Sequence, residues 1–199
     1  MRYLALGYKA IAITDHVDYS NIESTVKAIL AFTRHWPLSS KIKVLPGIEL
    51  THLPPNQFKP LTQYARKQGM KVIIGHGETL MEPVEKGVNR AVLEAGVDIL
   101  AHPGLISDSD VLLAKEKGIF LEITSRRGHR DTNAHVAERA LKIGAKLILN
   151  NDSHSPEDII TPQELIRVGM NAGLTGKEIA AIFKDVEKFL KRRGRDEKP

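Results

Sequence analysis

One unit recurs along this chain of 199 residues and restricts its fold more than any other feature. A helical segment ends at a glycine, a short apolar run follows, and the run ends in side chains able to bind metals or protons. The copies are ALGYKAIAITDH at 5–16, KQGMKVIIGHGE at 67–78, EAGVDILAHPG at 94–104, EKGIFLEITSR at 116–126 and KIGAKLILNNDSH at 142–154. A sixth run, KIKVLPGIEL at 41–50, lacks the leading glycine but also ends in an acid. Glycine at a helix C-cap takes the left-handed conformation at little cost. Short, nearly continuous apolar runs suit parallel strands covered on both faces. Amphipathic stretches at 22–35, 57–68, 85–95, 108–117, 132–143 and 163–172 separate the runs, and 175–192 reads as a final helix. Strands alternating with helices give βα units and a parallel sheet. An open doubly wound sheet gathers ligands at one switch point. Here nearly every strand ends in a candidate ligand, which is a barrel property. The expected fold class is therefore α/β, a βα barrel.

The start is unusual. MRYLALG reads as the last turns of a helix rather than a beginning. One βα unit without that helix end amounts to roughly 20 residues, so a seventh strand is expected ahead of the six. The exposed edge it would leave invites pairing with another chain, and a homo-oligomer is one expectation. No linker or low-complexity stretch divides residues 1–199, which read as a single domain.

Composition narrows the chemistry. The chain has no cysteine, which excludes thiolate metal sites and a cysteine nucleophile. Any metal must be held by His, Asp and Glu, which suits Zn, Mn, Fe or Mg. No run approaches the roughly 18 apolar residues of a membrane span, and the N-terminus lacks the apolar stretch of a secretory signal. A cytoplasmic location without membrane association is expected. Net charge is +5 and the pI about 9.4, compatible with an anionic substrate or with nucleic acid. Much of the excess lies in KFLKRRGR at 188–195, part of a basic tail from about 190. That tail is read as a solvated, fraying helix end, since a nucleic-acid surface would interleave more aromatics.

The candidate metal ligands are His16, Glu49, His76, His102, Asp152 and His154, each closing an apolar run. Asp152 and His154 stand two apart and share one side of an extended segment. A lone histidine at a strand end is more often structural than a ligand, but four with two acids in matching places form a metal site. Neutral imidazoles set affinity, and a bridging carboxylate can hold two cations, as hydrolysis of phosphate esters requires. Candidate catalytic residues are Asp15, Glu78, Arg126 and His129. Asp15 would orient a neighbouring histidine, Glu78 would add a ligand or shuttle protons, and Arg126 with His129 would clamp a phosphate. Glu122, inside an apolar run, needs a partner, and a metal or an arginine is expected. His35 and His135 are read as surface residues, and His52 as near the site mouth.

The set TDH, GIE, GHGE, AHPG and NDSH, in that order, resembles the polymerase-and-histidinol-phosphatase (PHP) superfamily over nearly the whole chain, most closely its stand-alone histidinol-phosphatase-like members. The resemblance implies a distorted seven-stranded TIM-like βα barrel with two or three divalent metal ions. It also implies that Glu49, His76 and His102 ligate one metal, with Glu49 bridging to a second. Asp152 would ligate the second metal, and His16 with His154 a third. The family's opening His-x-His motif is absent. The chain is accordingly expected to be an N-terminally truncated form lacking the first strand, with a degenerate member as the alternative. Either way it is expected to hold fewer metals than a complete relative and to be impaired. The implied function is hydrolysis of a small phosphorylated substrate. A nuclease, or a catalytically degenerate binding subunit, is the alternative.

Overall fold

The computed structural model describes residues 1–37 and 39–193. Seven strands, all paired in parallel, form one curved sheet: β1 (Ala10–Ile13), β2 (His16–Val17), β3 (Lys43–Leu50), β4 (Val72–His76), β5 (Ile99–Ala101), β6 (Phe120–Thr124) and β7 (Lys146–Asn150). The order is β1-β3-β4-β5-β6-β7, with β2 also on β3. β1 and β2 are two pieces of one interrupted run along β3. Ala10 to Ile13 face Lys43 to Pro46, and His16 faces Glu49. Among the described residues β1 and β7 do not pair with each other. The sheet is thus a half-barrel, an α/β barrel-like fold whose open side is a cavity of about 930 Å³ lined by residues of both edges.

Seven of the helices alternate with or follow the strands where amphipathic stretches lie: α2 (Ile22–Arg34), α3 (Phe58–Gln68), α4 (Val88–Ala95), α5 (Asp108–Lys117), α6 (Asn133–Ile143), α7 (Pro162–Asn171) and α8 (Gly176–Arg193). The short α1 (Arg2–Ala5) precedes β1 and ends before Gly7, whose φ of 89° admits glycine readily. No helix of the described residues is long and apolar enough to cross a membrane.

The period-two alternation of strands divides the core in two. Ile48, Leu50, Ile73, Leu100, Leu121, Ile123, Leu147 and Leu149 pack outward against the helices. Leu45, Val72, Ile74, Ile99, Ala101, Phe120 and Ile148 line the concave side, and Phe189 of α8 packs against them. Its ring meets Phe120 edge-on with centroids 5.6 Å apart.

This corrects the reading of residues 188–193 as a solvated helix end. Phe189 is buried, and the Arg193 guanidinium lies over its ring and pairs with the buried Asp98. Asp98 also accepts from the Ile73 backbone N–H at 2.8 Å and pairs with Arg66 at 2.6 Å. One carboxylate therefore ties α3, β4 and the end of α8 together. The rest of the basic tail, 194–199, lies outside the described residues. Asp98→Ala should leave two guanidinium groups without their buried partner and lower unfolding free energy by about 2–3 kcal/mol. Urea denaturation measures this, and a loss below about 0.5 kcal/mol would refute the locking role.

Candidate metal centre

The strand alternation that builds the apolar floor also raises polar groups above it. On β3 the concave positions run from Leu45 to Glu49, on β4 from Val72 to His76, on β6 from Phe120 to Glu122, and on β7 from Ile148 to Asn150. Registers such as Glu49 opposite Ile74 and His76 opposite Ala101 keep the tips level. His102 follows Ala101, so plain alternation would turn it outward. Its φ of 29° breaks the alternation, and its ring sits in the centre of the site. The positive-φ non-glycine residues among the described ones are His52, His102 and Asp152, all at this end of the sheet. Such strain costs on the order of 1–3 kcal/mol per residue and gathers where function demands a geometry. Gly77 permits the approach of the next loop. Its N–H donates to Ala101 O at 3.0 Å, and a Cβ there would stand 2.7 Å from Pro103 Cα.

Glu49, His76 and His102 are buried and present donor atoms within 4.8 Å of one another. His76 Nδ1–H donates to Gly77 O at 3.0 Å, and His102 Nδ1–H donates to Glu122 Oε2 at 3.1 Å. Each ring therefore has Nε2 left as an acceptor in its neutral form. His102 Nε2 and Glu49 Oε1 stand 3.8 Å apart, and both lack hydrogen-bond partners. Buried polar atoms without partners are costly, and a cation is a partner that satisfies all three donors together. The group could therefore bind a metal ion.

Burial is the largest electrostatic influence on each of the three groups. Burial raises the Glu49 carboxyl to about 8, opposed by the charge of His102 and reinforced by the nearby carboxylates of Asp152, Glu122 and Glu82. Burial lowers His76 to about 3. Burial also depresses His102, but the Glu122 hydrogen bond and charge, with Glu49 and Asp152, outweigh it and lift the imidazole to about 9. Burial would raise Glu122 too, and the bond from His102 holds it below the usual carboxylate range. Glu122 Oε2 accepts both the N–H and Nδ1–H of His102, and Oε1 accepts from Asn150 Nδ2 at 2.9 Å. The partner of Glu122 is thus a histidine and an amide, correcting the expectation of a metal or an arginine.

The other candidates fall in three places. His16 lies on the rim, 3.8 Å from Glu49 Oε2, with its ring 5.2 Å from that of His154. Asp152 reaches the centre, its Oδ2 3.6 Å from His102 Nδ1 and without a hydrogen bond, and burial raises its carboxyl to about 6. His154 is exposed and accepts from Arg126 Nη1 at 2.7 Å, while Arg126 Nε lies 3.7 Å from Asp152. His129 is buried with its ring 4.4 Å from His102. Asp15 is exposed on the cavity wall, and its backbone oxygen accepts from Glu49 N–H. Glu78 is elsewhere. Its carboxylate accepts from the N–H groups of Gly87 and Asn89, each at 2.9 Å, and caps α4. The expectation that it adds a ligand or shuttles protons gives way to helix capping. His135, read as a surface residue, contacts Ile106 O at 2.9 Å and docks α6 on the loop after β5.

Sequence reasoning overlooked Glu82. It stands on the long loop between β4 and α4, between His52, His76 and His129. The one available signal was an acid on a post-strand segment too long for a tight turn, six residues past His76 with Leu80 and Met81 exposed beside it.

No family model matches the chain. The uncharacterized protein MJ1295 of Methanocaldococcus jannaschii is 43% identical over 197 residues, covering 96% of this chain and 89% of the relative. Proteins of Thermoanaerobacter sp. and Thermoanaerobacter pseudethanolicus, each described as a probable phosphatase, are 27% identical over 151 residues. That match covers 67% of this chain and 62% of theirs. Among solved structures, a chain in archaeal ribonuclease P with mature tRNA superposes with a TM-score of 0.70 at 18% identity, over 98% of this chain and 87% of that one. The N6-methyl-AMP deaminase of Arabidopsis thaliana gives a TM-score of 0.57 at 20% identity, over 88% of this chain and 51% of its own. At these identities the structural likenesses show the fold alone.

Proposed function

The chain belongs to the family of the uncharacterized Methanocaldococcus jannaschii protein MJ1295, and on that premise we propose that it is a divalent-cation-dependent hydrolase of small phosphomonoesters, of the PHP superfamily. The observation that carries the reading is the Glu49–His76–His102 group, three buried donors aimed at one point with two of their atoms unpartnered. A divalent cation bound there supplies Lewis acidity toward a phosphoryl oxygen and lowers the pKa of water. His16 and His154 at the rim, with Asp152 nearer the centre, would hold further cations. Arg126, already beside Asp152 and His154, offers N–H groups for phosphoryl oxygens. The Thermoanaerobacter relatives described as probable phosphatases support the hydrolase class.

A second reading, a nuclease or nucleic-acid binder, draws on the fold likeness to a chain of archaeal ribonuclease P and on the basic pI. Metal analysis of the purified protein, followed by assays with added Mn or Zn on a phosphomonoester and on an oligonucleotide, separates the two. Cation-dependent phosphate release from the monoester is expected. Cleavage of the oligonucleotide alone would establish the second reading. Metal-loaded protein that turns over neither would be left with a binding role.

A further inference from the structure

Two tyrosines ahead of β1 reach across the open side of the half-barrel. β1 and β7 share no ladder among the described residues, yet both side chains end on the segment that follows β7. The Tyr3 hydroxyl hydrogen-bonds Ser153 Oγ. The Tyr8 hydroxyl accepts from Asn151 Nδ2 at 3.0 Å and donates to Ile160 O at 2.9 Å. The two rings meet edge to face with centroids 5.0 Å apart, so each braces the other.

Asp152 lies between the two anchored residues. Its φ of 49° is left-handed, and such a backbone away from glycine persists where its surroundings fix it. From β6, Ser125 Oγ donates to Asn151 O at 3.1 Å and Arg126 Nη1 to Asp152 O at 3.3 Å. The tyrosines supply the hold from the opposite edge. Asn151 is buried, and its side-chain amide finds a partner in Tyr8. With its neighbours on both sides anchored, Asp152 turns an unpartnered Oδ2 to 3.6 Å from His102 Nδ1.

We propose that Tyr8, braced by Tyr3, is a positioning residue that holds the Asp152 carboxylate toward the Glu49–His76–His102 group. This rests on the reading of Asp152 as a donor to a cation, and adds the residues that aim it. Its consequence is that the open side of the half-barrel is latched by side chains where the sheet leaves it unpaired.

Tyr8→Phe removes one hydroxyl and keeps the ring. Calorimetric titration with Mn²⁺ of wild type, Tyr8→Phe, Asp152→Asn and the double variant tests the proposal, with amide exchange of the metal-free proteins and phosphate release by wild type alongside. Tyr8→Phe should speed exchange over 151–154 by about fivefold, and by more than over 72–76. It should weaken Mn²⁺ binding by about fivefold or more in wild type and not at all in the Asp152→Asn background, because a residue acting through Asp152 then has nothing to aim. Equal weakening in both backgrounds, or none in wild type, overturns the positioning role and leaves the cation-dependent function standing. If wild type binds Mn²⁺ but releases no phosphate, the function falls and the same comparison still decides the role of Tyr8. If wild type binds no Mn²⁺, the function falls and exchange decides: unchanged rates over 151–154 overturn the hold on Asp152, and faster rates uphold it.

Discussion

Replacing His102 with alanine is expected to abolish cation binding at the central group and to lower phosphoester turnover by about 10³-fold or more. A bound divalent cation contributes several kcal/mol to the transition state, and each 1.36 kcal/mol is a factor of about ten. His102 carries this weight because its Nε2 is an unpartnered donor and its Nδ1 is already committed to Glu122. The neighbouring donors cannot substitute for it. His76 Nε2 is already one of the three, and the His129 ring stands beside His102 rather than in its place. Metal content after dialysis and kcat/KM with excess Mn²⁺ check the two parts separately. A variant that retains both its metal and its rate would remove His102 from the centre and with it the proposed function.

Glu122→Ala is expected to have the largest effect on stability. The carboxylate is buried and receives three hydrogen bonds, two from His102 and one from Asn150. Removing it strands all three donors in the interior, a loss of about 3–5 kcal/mol. The same change frees the His102 ring to rotate, and partners of this kind typically contribute about 10–100-fold to metal affinity. Glu122→Gln keeps the volume and one acceptor oxygen, so it should recover much of the folding free energy but less of the affinity. Urea unfolding of both metal-free variants, followed by metal titration, distinguishes the two roles. Equal stability of Glu122→Ala and wild type would mean that the carboxylate is dispensable to the fold.

The βα alternation was legible because parallel strands and amphipathic helices leave periodic marks. Six helices fall within a few residues of the amphipathic stretches, and each apolar run became strand. Fold class was therefore written locally. The meeting of Glu49, His76 and His102 also followed from local rules, since strand tips in a parallel sheet share one end. Three features escaped. Glu78 resembles a site residue in GHGE, yet the amino end of α4 lies across the loop and captures its carboxylate, a contact with no mark in the sequence. Glu82 joins the site through a loop conformation rather than a period. Phe189 and Arg193 sit in a run of positive charge whose composition suggested solvent, while the unpaired half-barrel and the buried Asp98 made an apolar floor and an anchor for them. His102 was identified by type and place, but its inward turn depends on a left-handed backbone that alternation alone would deny.

The open half-barrel also ranks its own parts. β1, β2 and β7 each have one neighbour, whereas β3, β4, β5 and β6 are flanked on both sides. Amide protons should exchange fastest along the two outer edges and slowest in the inner four strands, because unzipping begins where a ladder ends. Glu49, His76 and His102 ride on or directly behind three of these inner strands, while His16 lies on the edge strand β2, and Asp152 with His154 follows β7. Gentle heating or dilute denaturant would then peel away the peripheral donors before touching the inner ones, so partial loss of ions should precede collapse of the core.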